Sequence, residues 1–568
     1  MSALSLYCRI VNLIRKARPF AAFLLVVLAF QWLSGAYTKL LDGNYDEASH
    51  YLTSLLVRDY LAAGLPGNPL HYAENYYLHY PKIAIGHWPP VFYLVNGVWL
   101  LLLPFGPASC FVLLALTTAG LAARIHAYVR RSAPDWAAWL ISLLFLTLAP
   151  VISSSIELMS EILLAWLVLE SCWAFSAWMK TPTTGAGVRF TVWSSLALLT
   201  KAVGIGLAFL PPCAILLSRR NRLFAKPSLY LAGILVAAVV GPWYALAPGA
   251  RHEASGHKFA GLLGVNLPTR TVKANAAKYD VAIETAEFFY RARRSLLAVP
   301  ILFKWLGPLV IVAMLGAWRA ARLGDADAQA VLGVLFGFLI FRFVLVSAAW
   351  EPRMLIPVVP PLLCFAWVGR TCFTFRHASA CLVLLVACAS GYNLTAAPRH
   401  AGSPAGEAAA WISASSSETY RTILVSSDGA VEGALAALIA DSDTHRPSRY
   451  VVRASKLLAV TSWSSYVYVP KATDEDAVLR ALDAVPVDLV VLQPLNSKSA
   501  FHEILMDRTV QHHPGRFRRI PVRDSSLAIF EVVGRQGPRP VGDPKIDMFL
   551  FGLGRNLSTQ EGAASPQK

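Results

Sequence analysis

Charged side chains are scarce in this chain and its cysteines follow no pairing pattern, and each shortage excludes a class of protein. Only 15% of the 568 residues are Asp, Glu, Lys or Arg, while 56% are hydrophobic, with 16 Trp and 27 Phe. That balance is too apolar for an ordinary soluble domain and marks a polytopic membrane protein. The 8 Cys lie in or beside apolar runs and never as a CxxC pair, which argues against a disulfide framework and a zinc site. No HExxH spacing and no full glycine-rich fingerprint occurs either. The first apolar segment follows Arg9, Arg15, Lys16 and Arg18 and has no small-residue cleavage site after it, so it reads as a retained anchor. The formal charge of +17 would suit nucleic acid, yet the Lys and Arg residues fall in short clusters between apolar spans. Such clusters are cytoplasmic loops, and nucleic acid is excluded as a partner.

A run of about twenty apolar residues can cross the hydrocarbon core of a bilayer. The first such run covers residues 19–37, with its basic flank inside and the following loop outside. The helix after His87-Trp88-Pro89-Pro90 is apolar only to Pro104, too short for a full crossing. Treating it as re-entrant or interfacial puts Arg124, Arg130 and Arg131 in the cytoplasm, together with Lys180, Arg189, Arg219, Arg220, Arg222, Arg319, Arg322, Arg370 and Arg376. Later crossings then fall at 107–129, 136–152, 161–179, 188–201, 203–218, 228–247, 295–318, 328–347, 354–370 and 377–394. This gives about eleven transmembrane helices with the N-terminus inside. Glu157, Glu161, Lys201, the 248–294 loop, Glu351 and Arg353 collect on the outer side, though none was used to set the orientation. The 248–294 loop carries His252, Glu253, His257 and Lys258, and reads either as a substrate-binding loop or as a solvated one.

Residues 41–103 stand apart through their acids, histidines and tyrosines. Asp46 and Glu47 open a helix in which Ala48, Leu52, Leu55 and Leu56 recur at helical spacing, with Gly64 as its stop. The pattern predicts an amphipathic helix lying along the bilayer surface with two carboxylates in its first turn. The plainer reading of those acids is an N-cap and a solvated turn.

From Thr395 the composition becomes that of a soluble domain. Strands at 422–427, 450–453 and 487–493 alternate with helices at 430–440 and 474–484, which favours a small α/β sheet with parallel strands. Residues 526–533 are expected to close it as an edge hairpin with 520–523. Ser427-Asp428-Gly429 lies between strand and helix, where such sheets often bind ligands, but it reads as a plain turn. The expected domains are therefore a membrane domain at 1–394, an extracytoplasmic α/β domain at 395–537 and a loosely ordered tail at 538–568.

The outer-face residues carry a resemblance. Tyr45-Asp46-Glu47, His87-Trp-Pro-Pro-Val-Phe-Tyr93, Leu158-Met-Ser-Glu161, Leu199-Thr-Lys201 and Arg353-Met-Leu-Ile-Pro-Val-Val-Pro-Pro361 occur in the order of the matching stretches of GT-C membrane glycosyltransferases. That superfamily includes protein O-mannosyltransferases and the lipid A aminoarabinose transferase. The chain departs from its patterns where Glu161 stands for the usual Asp, Ala202-Val203 precedes Gly204, and Met354 replaces an aromatic. The resemblance covers residues 1–394 and implies a polyprenyl-phosphate sugar donor, an extracytoplasmic hydroxyl acceptor (lipid, glycan or protein) and the bacterial inner membrane.

The residue types fit such chemistry. A lipid phosphate leaves easily, so the reaction needs a base on the acceptor hydroxyl and cations on the departing phosphate, and back-side attack inverts the anomeric centre. Asp46, with Glu47 beside it, suits the base, and Glu161 supplies a further acidic wall. Lys201 and Arg353 suit the phosphate, against the plainer readings of a snorkelling lysine and a pair between Arg353 and Glu351. Tyr45, His87, Trp88 and Tyr93 are candidates for the sugar pocket, although an interfacial anchor also explains Trp88. No cofactor is required, and a divalent metal between these acids and a histidine of the 248–294 loop is compatible but not demanded. A transporter or lipid-carrier flippase is the rival, since intramembrane charges mark transport paths. Here the charges sit at one face and not at midplane, which favours the enzyme. A sensory protein with a working tail would leave the outer acids without a role.

The orientation has a direct test in cysteine labelling from the outside. Ser464→Cys should react and Ser132→Cys should not; the reverse result would overturn the topology.

Overall fold

The computed structural model describes residues 3–38, 41, 44–246, 298–345, 351–374, 376–397, 404–443, 447–461, 468–522, 525–533, 543–550 and 555–559. The 248–294 loop, Ser464 and most of 538–568 lie outside the described residues. The chain forms two compact units, one from Met1–Ser34, Trp88–Phe92 and Phe111–Arg399, the other from Gly35–His87, Tyr93–Cys110 and His400–Lys568.

Among the described residues, five helices are long and apolar enough to cross a membrane: Ala17–Ser34, Pro107–Val129, Glu161–Lys180, Pro227–Ala245 and Ala378–Thr395. Three bent helix pairs raise the count to eight if each is one span, against the eleven expected. The chain is an integral membrane protein. The stretch expected as one crossing at 295–318 contains two helices bent by 105°, Pro300–Leu306 and Leu309–Arg322. Gly307 at φ +57 takes a left-handed conformation and Pro308 has no N–H to donate, so the helix cannot run through. The 136–152 stretch is likewise broken, by 62°, between Asp135–Thr147 and Ala149–Ile156, with Leu148 extended and Pro150 in the second helix's first turn. The segments Val91–Leu102, Ala202–Ser218 and Ala326–Phe341 are shorter apolar helices.

Polar side chains tie the membrane unit together where water cannot. Gln31 Nε2 donates to the carbonyls of Phe111 at 2.8 Å and Ser155 at 2.7 Å. Asn393 donates to the Trp305 carbonyl at 2.6 Å and accepts from the Ala149 N–H at 3.0 Å. The Ser155 and Trp305 carbonyls and the Ala149 N–H lie at helix ends, where a buried amide supplies a partner. Helices Glu161–Lys180 and Thr184–Leu198 form an antiparallel pair, so Glu161 and the residues after Leu198 share one end. At the opposite end Lys180 pairs with Asp327 at 2.6 Å, and Ser176 and Tyr128 also donate to Asp327. The segments around Tyr128, Lys180 and Asp327 thus meet at one end of the unit.

The second unit is built on a five-stranded sheet of order β2-β1-β5-β7-β6. Its strands are β1 Thr422–Ser426, β2 Tyr450–Arg453, β5 Leu489–Leu492, β6 Phe517–Ile520 and β7 Ala528–Val532, with β3 Ala459–Thr461 and β4 Tyr468–Pro470 as a separate hairpin and β8 Asp547–Leu550 and β9 Arg555–Ser558 as another. β1 pairs in parallel with β2 and β5, while β7 runs antiparallel to β5 and β6. The expected closing hairpin exists, but its edge strand is 517–520 and β7 lies inside the sheet; Pro521, lacking a ladder donor, ends the edge. The helices Gly429–Ser442 and Glu475–Ala484 fall where periodicity placed them, while Phe501–His512 was not foreseen.

Residues of the loop after the first span, Gly35–His87, belong to this same unit. Helix Glu47–Ala62 ends near Gly64, whose φ of +74 supplies the stop. It is not one-faced as a surface helix would be: every residue from Glu47 to Leu55 is buried, with Arg58 and Asp59. Its polar positions are absorbed by partners, since Tyr51 donates to Asp441 at 2.7 Å, Asp59 accepts from Tyr76 at 3.0 Å and from Arg58 at 2.7 Å, and Thr53 accepts from the Ala84 N–H at 3.0 Å. Further along, His79 Nδ1 donates to the Arg449 carbonyl at 2.8 Å and Tyr80 to Asp443 at 2.5 Å.

A side chain at Gly433 would meet Lys82 Cε at 3.0 Å and Ala48 Cβ at 3.2 Å, whereas at Gly406 nothing lies within 4 Å. Gly433→Val should therefore destabilise the protein by about 1–3 kcal/mol, while Gly406→Ala should be neutral or slightly stabilising. Thermal melts of the two variants check this contrast.

Candidate functional site

Each unit contains its own cluster of buried charge. In the membrane unit the centre is Glu161, the first residue of its helix, with none of its surface exposed. Lys201 Nζ donates to Glu161 Oε1 at 2.6 Å, and Arg353 Nε lies 3.2 Å from the same oxygen. Arg353 also pairs with the exposed Glu351 at 2.5 Å and points Nη1 at Met159 Sδ, 2.8 Å away. One of the two plain readings holds: Arg353 does pair with Glu351, whereas Lys201 is buried on a carboxylate and does not snorkel. Burying Glu161 and Lys201, with Arg353 half-buried beside them, needs this mutual compensation, because an isolated buried ion costs several kcal/mol, roughly.

Local geometry fixes each partner. The antiparallel helix pair returns the chain to Glu161, and Lys201 follows in extended conformation (φ −156, ψ 140). Arg353 sits at the start of the 3-10 helix Pro352–Val358. Trp88 is buried, and the Val91 N–H behind Pro89-Pro90 donates to the Leu199 carbonyl at 2.8 Å, so the Trp-Pro-Pro stretch is pinned to the Leu-Thr-Lys stretch. Tyr244, which the sequence did not single out, donates to the Leu198 carbonyl at 3.0 Å. Glu157 lies between two helices and accepts from Ser153 Oγ at 3.1 Å; burial pushes its carboxyl up to about 7.

In the second unit Asp46 occupies the N-cap position of its helix with φ −85 and ψ −22, and its side chain makes no capping hydrogen bond. The plain N-cap reading therefore does not describe it. Asp46 is half-buried and Glu47 fully buried, while Tyr45 is exposed. His50 Nδ1 and the buried Tyr93 hydroxyl are 2.8 Å apart with their rings stacked, and His87 is half-buried.

Sequence reasoning missed a further set in this unit. Lys82 is buried and donates to the Gly429 carbonyl at 3.2 Å. Arg453, at the end of β2, pairs with the fully buried Glu432 at 2.6 Å and donates to the Pro81 carbonyl at 3.3 Å. Ser455 Oγ donates to Glu432 at 2.6 Å, and Lys456 is buried nearby. Burial, with Arg453 next, holds both lysines down to about 7. One signal was present: Lys82 is the only charged residue between Glu74 and Arg124. Asp428, in the Ser-Asp-Gly turn, caps the helix that follows by accepting from the N–H groups of Ala430 and Val431. Among the described residues no group of three His, Cys, Asp or Glu is placed to hold a metal, and the histidines named for that role lie in the undescribed loop.

Neutralising Glu161 should expose what it holds. Glu161→Gln leaves the buried Lys201 without its anion and Arg353 with Glu351 alone, and should cost about 3–5 kcal/mol in thermal melts. Adding Lys201→Met should recover part of that loss, and strict additivity of the two would contradict the coupling.

No protein-family model matches the chain, and no curated protein sequence matches it. Solved structures do. ArnT from Cupriavidus metallidurans bound to undecaprenyl phosphate aligns at TM-score 0.54 and 16% identity, over 92% of this chain and 100% of that one. The same protein in the apo state aligns at TM-score 0.52 and 15% identity, over 91% and 99%. The oligosaccharyltransferase AglB from Archaeoglobus fulgidus aligns more weakly, at TM-score 0.47 and 13% identity over 84% and 69%. At such identities the likeness is one of fold: the resemblance to GT-C membrane glycosyltransferases read from residues 1–394 is matched in fold by ArnT, whose alignment covers 92% of this chain.

Proposed function

We propose that the protein is an inverting glycosyltransferase that moves a sugar from a polyprenyl-phosphate donor to a hydroxyl of an extracytoplasmic lipid, glycan or protein, in a bacterial inner membrane. The observation that carries the reading is the pair of cations, Lys201 and Arg353, held on one buried carboxylate oxygen. Two cations fixed before a ligand arrives need no reorganisation to receive a phosphate, and in surroundings poor in water they act on it strongly. A structure with this fold, ArnT, is bound to undecaprenyl phosphate, a ligand that joins such a phosphate to an apolar tail.

In this reading Lys201 and Arg353 bind the donor phosphate and stabilise its charge as the glycosidic bond breaks. Glu161, whose charge is already shared by two cations, keeps them in place. Asp46 takes the proton from the acceptor hydroxyl, with Glu47 as the alternative base. Tyr45, His87, Trp88 and Tyr93 are assigned to the sugar, and the bilayer presents the lipid donor. The rival reading is a transporter or lipid-carrier flippase.

Kinetics of variants test the roles. Asp46→Asn should lower turnover by roughly 10²–10⁴ while donor binding persists. Lys201→Ala should weaken donor binding as well as turnover. Activity in Asp46→Asn with none in Glu47→Gln would move the base by one residue, and activity in both would remove the loop acids from the chemistry.

A further inference from the structure

The end of the membrane unit that holds the Lys180–Asp327 pair carries a second group of cations, for which the proposed reaction has no use. Helix Leu309–Arg322 crosses the short helix Ala366–Gly369 with backbone against backbone: a Cβ at Gly316 would lie 2.5 Å from the Gly369 nitrogen, and one at Gly369 would overlap the Val312 carbonyl. The crossing brings the last turn of the first helix, with Arg319 and Arg322, to the exit of the second, where Arg319 donates to the Thr371 carbonyl one residue after Arg370. The Arg370 guanidinium lies 4.2 Å from the centre of the buried Trp367 ring, and Trp136 stands edge-on to that ring at 5.4 Å. Arg322 lies 5.7 Å from the ring centre of the exposed Trp318. Among the described residues none of these three arginines pairs with a carboxylate. The acids at this end are engaged elsewhere: Asp327 with Lys180, Ser176 and Tyr128, Asp325 with the Asp327 N–H at 2.8 Å, and Asp135 with Arg130 at 3.4 Å and Trp139 at 3.2 Å. Two donors inside the stack, Arg370 Nε and the Trp367 indole N–H, are buried with no acceptor among the described residues. Like charges gathered without an anion repel one another and buried donors without acceptors are costly, so an anion with several oxygens relieves both.

We infer that this cluster binds the headgroup of an anionic phospholipid, its phosphodiester held by Arg319 and Arg370 and its charge met also by Arg322. A guanidinium stacked on an aromatic ring has its plane fixed and offers its edge to two phosphate oxygens at once. Ile311, Met314, Leu315 and Trp318 recur at helical spacing as one exposed apolar stripe that leads to Arg322, so a wall for acyl chains ends at the cations. Exposed Trp136 and Trp318 are of the kind that settles at a bilayer surface. The charge pattern of the sequence puts these residues at the cytoplasmic surface, where basic pockets between helices receive lipid headgroups. Inorganic phosphate and glycerol 3-phosphate offer the same oxygens in soluble form; the apolar stripe favours the lipid. The site is separate from the glycosyl-transfer reading and does not depend on it.

The test uses the full-length protein in detergent micelles, with phosphatidylglycerol and phosphatidylcholine of matched acyl chains as probes and retained lipid counted by native mass spectrometry. Wild type should hold phosphatidylglycerol roughly tenfold more tightly than phosphatidylcholine, and the preference should fade in about 0.5 M salt. Arg319→Gln with Arg370→Gln should weaken phosphatidylglycerol binding roughly thirtyfold and leave phosphatidylcholine unchanged. Arg189→Gln with Arg222→Gln removes the same charge from exposed positions elsewhere and should keep wild-type binding. Equal weakening by the two pairs would show a diffuse attraction and overturn the site, as would equal affinity for the two lipids or unchanged binding in the Arg319 and Arg370 pair. Displacement of the lipid by millimolar glycerol 3-phosphate would assign the cluster to a soluble phosphate and overturn the lipid reading. Because Arg319→Gln also gives up the Thr371 carbonyl, Arg322→Gln with Arg370→Gln decides by the same criteria if the first pair lacks a cooperative melt.

Discussion

A carboxylate with no exposed surface cannot stand alone in an apolar helix bundle, and the membrane unit is arranged around satisfying that of Glu161. Its two cations come from positions 40 and about two hundred residues away in sequence, so the carboxylate ties together three segments that local propensity would leave independent. The antiparallel turn from Glu161–Lys180 into Thr184–Leu198 and the short 3-10 helix Pro352–Val358 are the backbone consequences. The Leu199 carbonyl then fixes the start of the helix after Pro90. Such an arrangement contributes little net stability relative to an apolar core, although breaking it by removing one partner is costly.

The second unit solves the same problem differently. Its buried cations, Lys82, Arg453 and Lys456, gather near Glu432 at the carboxyl edge of a sheet, and the loop that brings Lys82 brings Asp46 with it. A soluble domain appended to a membrane protein is readily taken for an accessory. Here the loop and the sheet share hydrogen bonds at Tyr51, His79, Tyr80 and Lys82, so neither has a complete core without the other.

Elements whose signal is local were legible in the sequence. β1, β2 and β5 are short apolar runs bounded by polar residues, and Gly64 stops its helix for reasons of backbone conformation alone, whereas Asp428, read as part of a plain turn, proved to be a cap. The nearness of Glu161 to Lys201 followed from counting residues along two spans. What stayed hidden depends on distant partners. Helix Glu47–Ala62 read as one-faced because nothing nearby in sequence announces that Asp441 will cover Tyr51 or that Tyr76 will reach Asp59. The break at Gly307-Pro308 was visible as letters but outweighed by the apolar run around it. The importance of Lys82 was missed because a single lysine in an apolar stretch has no periodicity to betray it.

The claim beneath the whole account is that this protein breaks the bond between a sugar and a lipid phosphate instead of carrying the intact lipid across the bilayer. Purified protein in sealed vesicles, given a polyprenyl-phosphate sugar labelled in both sugar and lipid, separates the two directly. The account predicts free polyprenyl phosphate appearing in step with sugar on the acceptor, in the inverted anomeric configuration. Movement of doubly labelled lipid between leaflets with no release of lipid phosphate would contradict it.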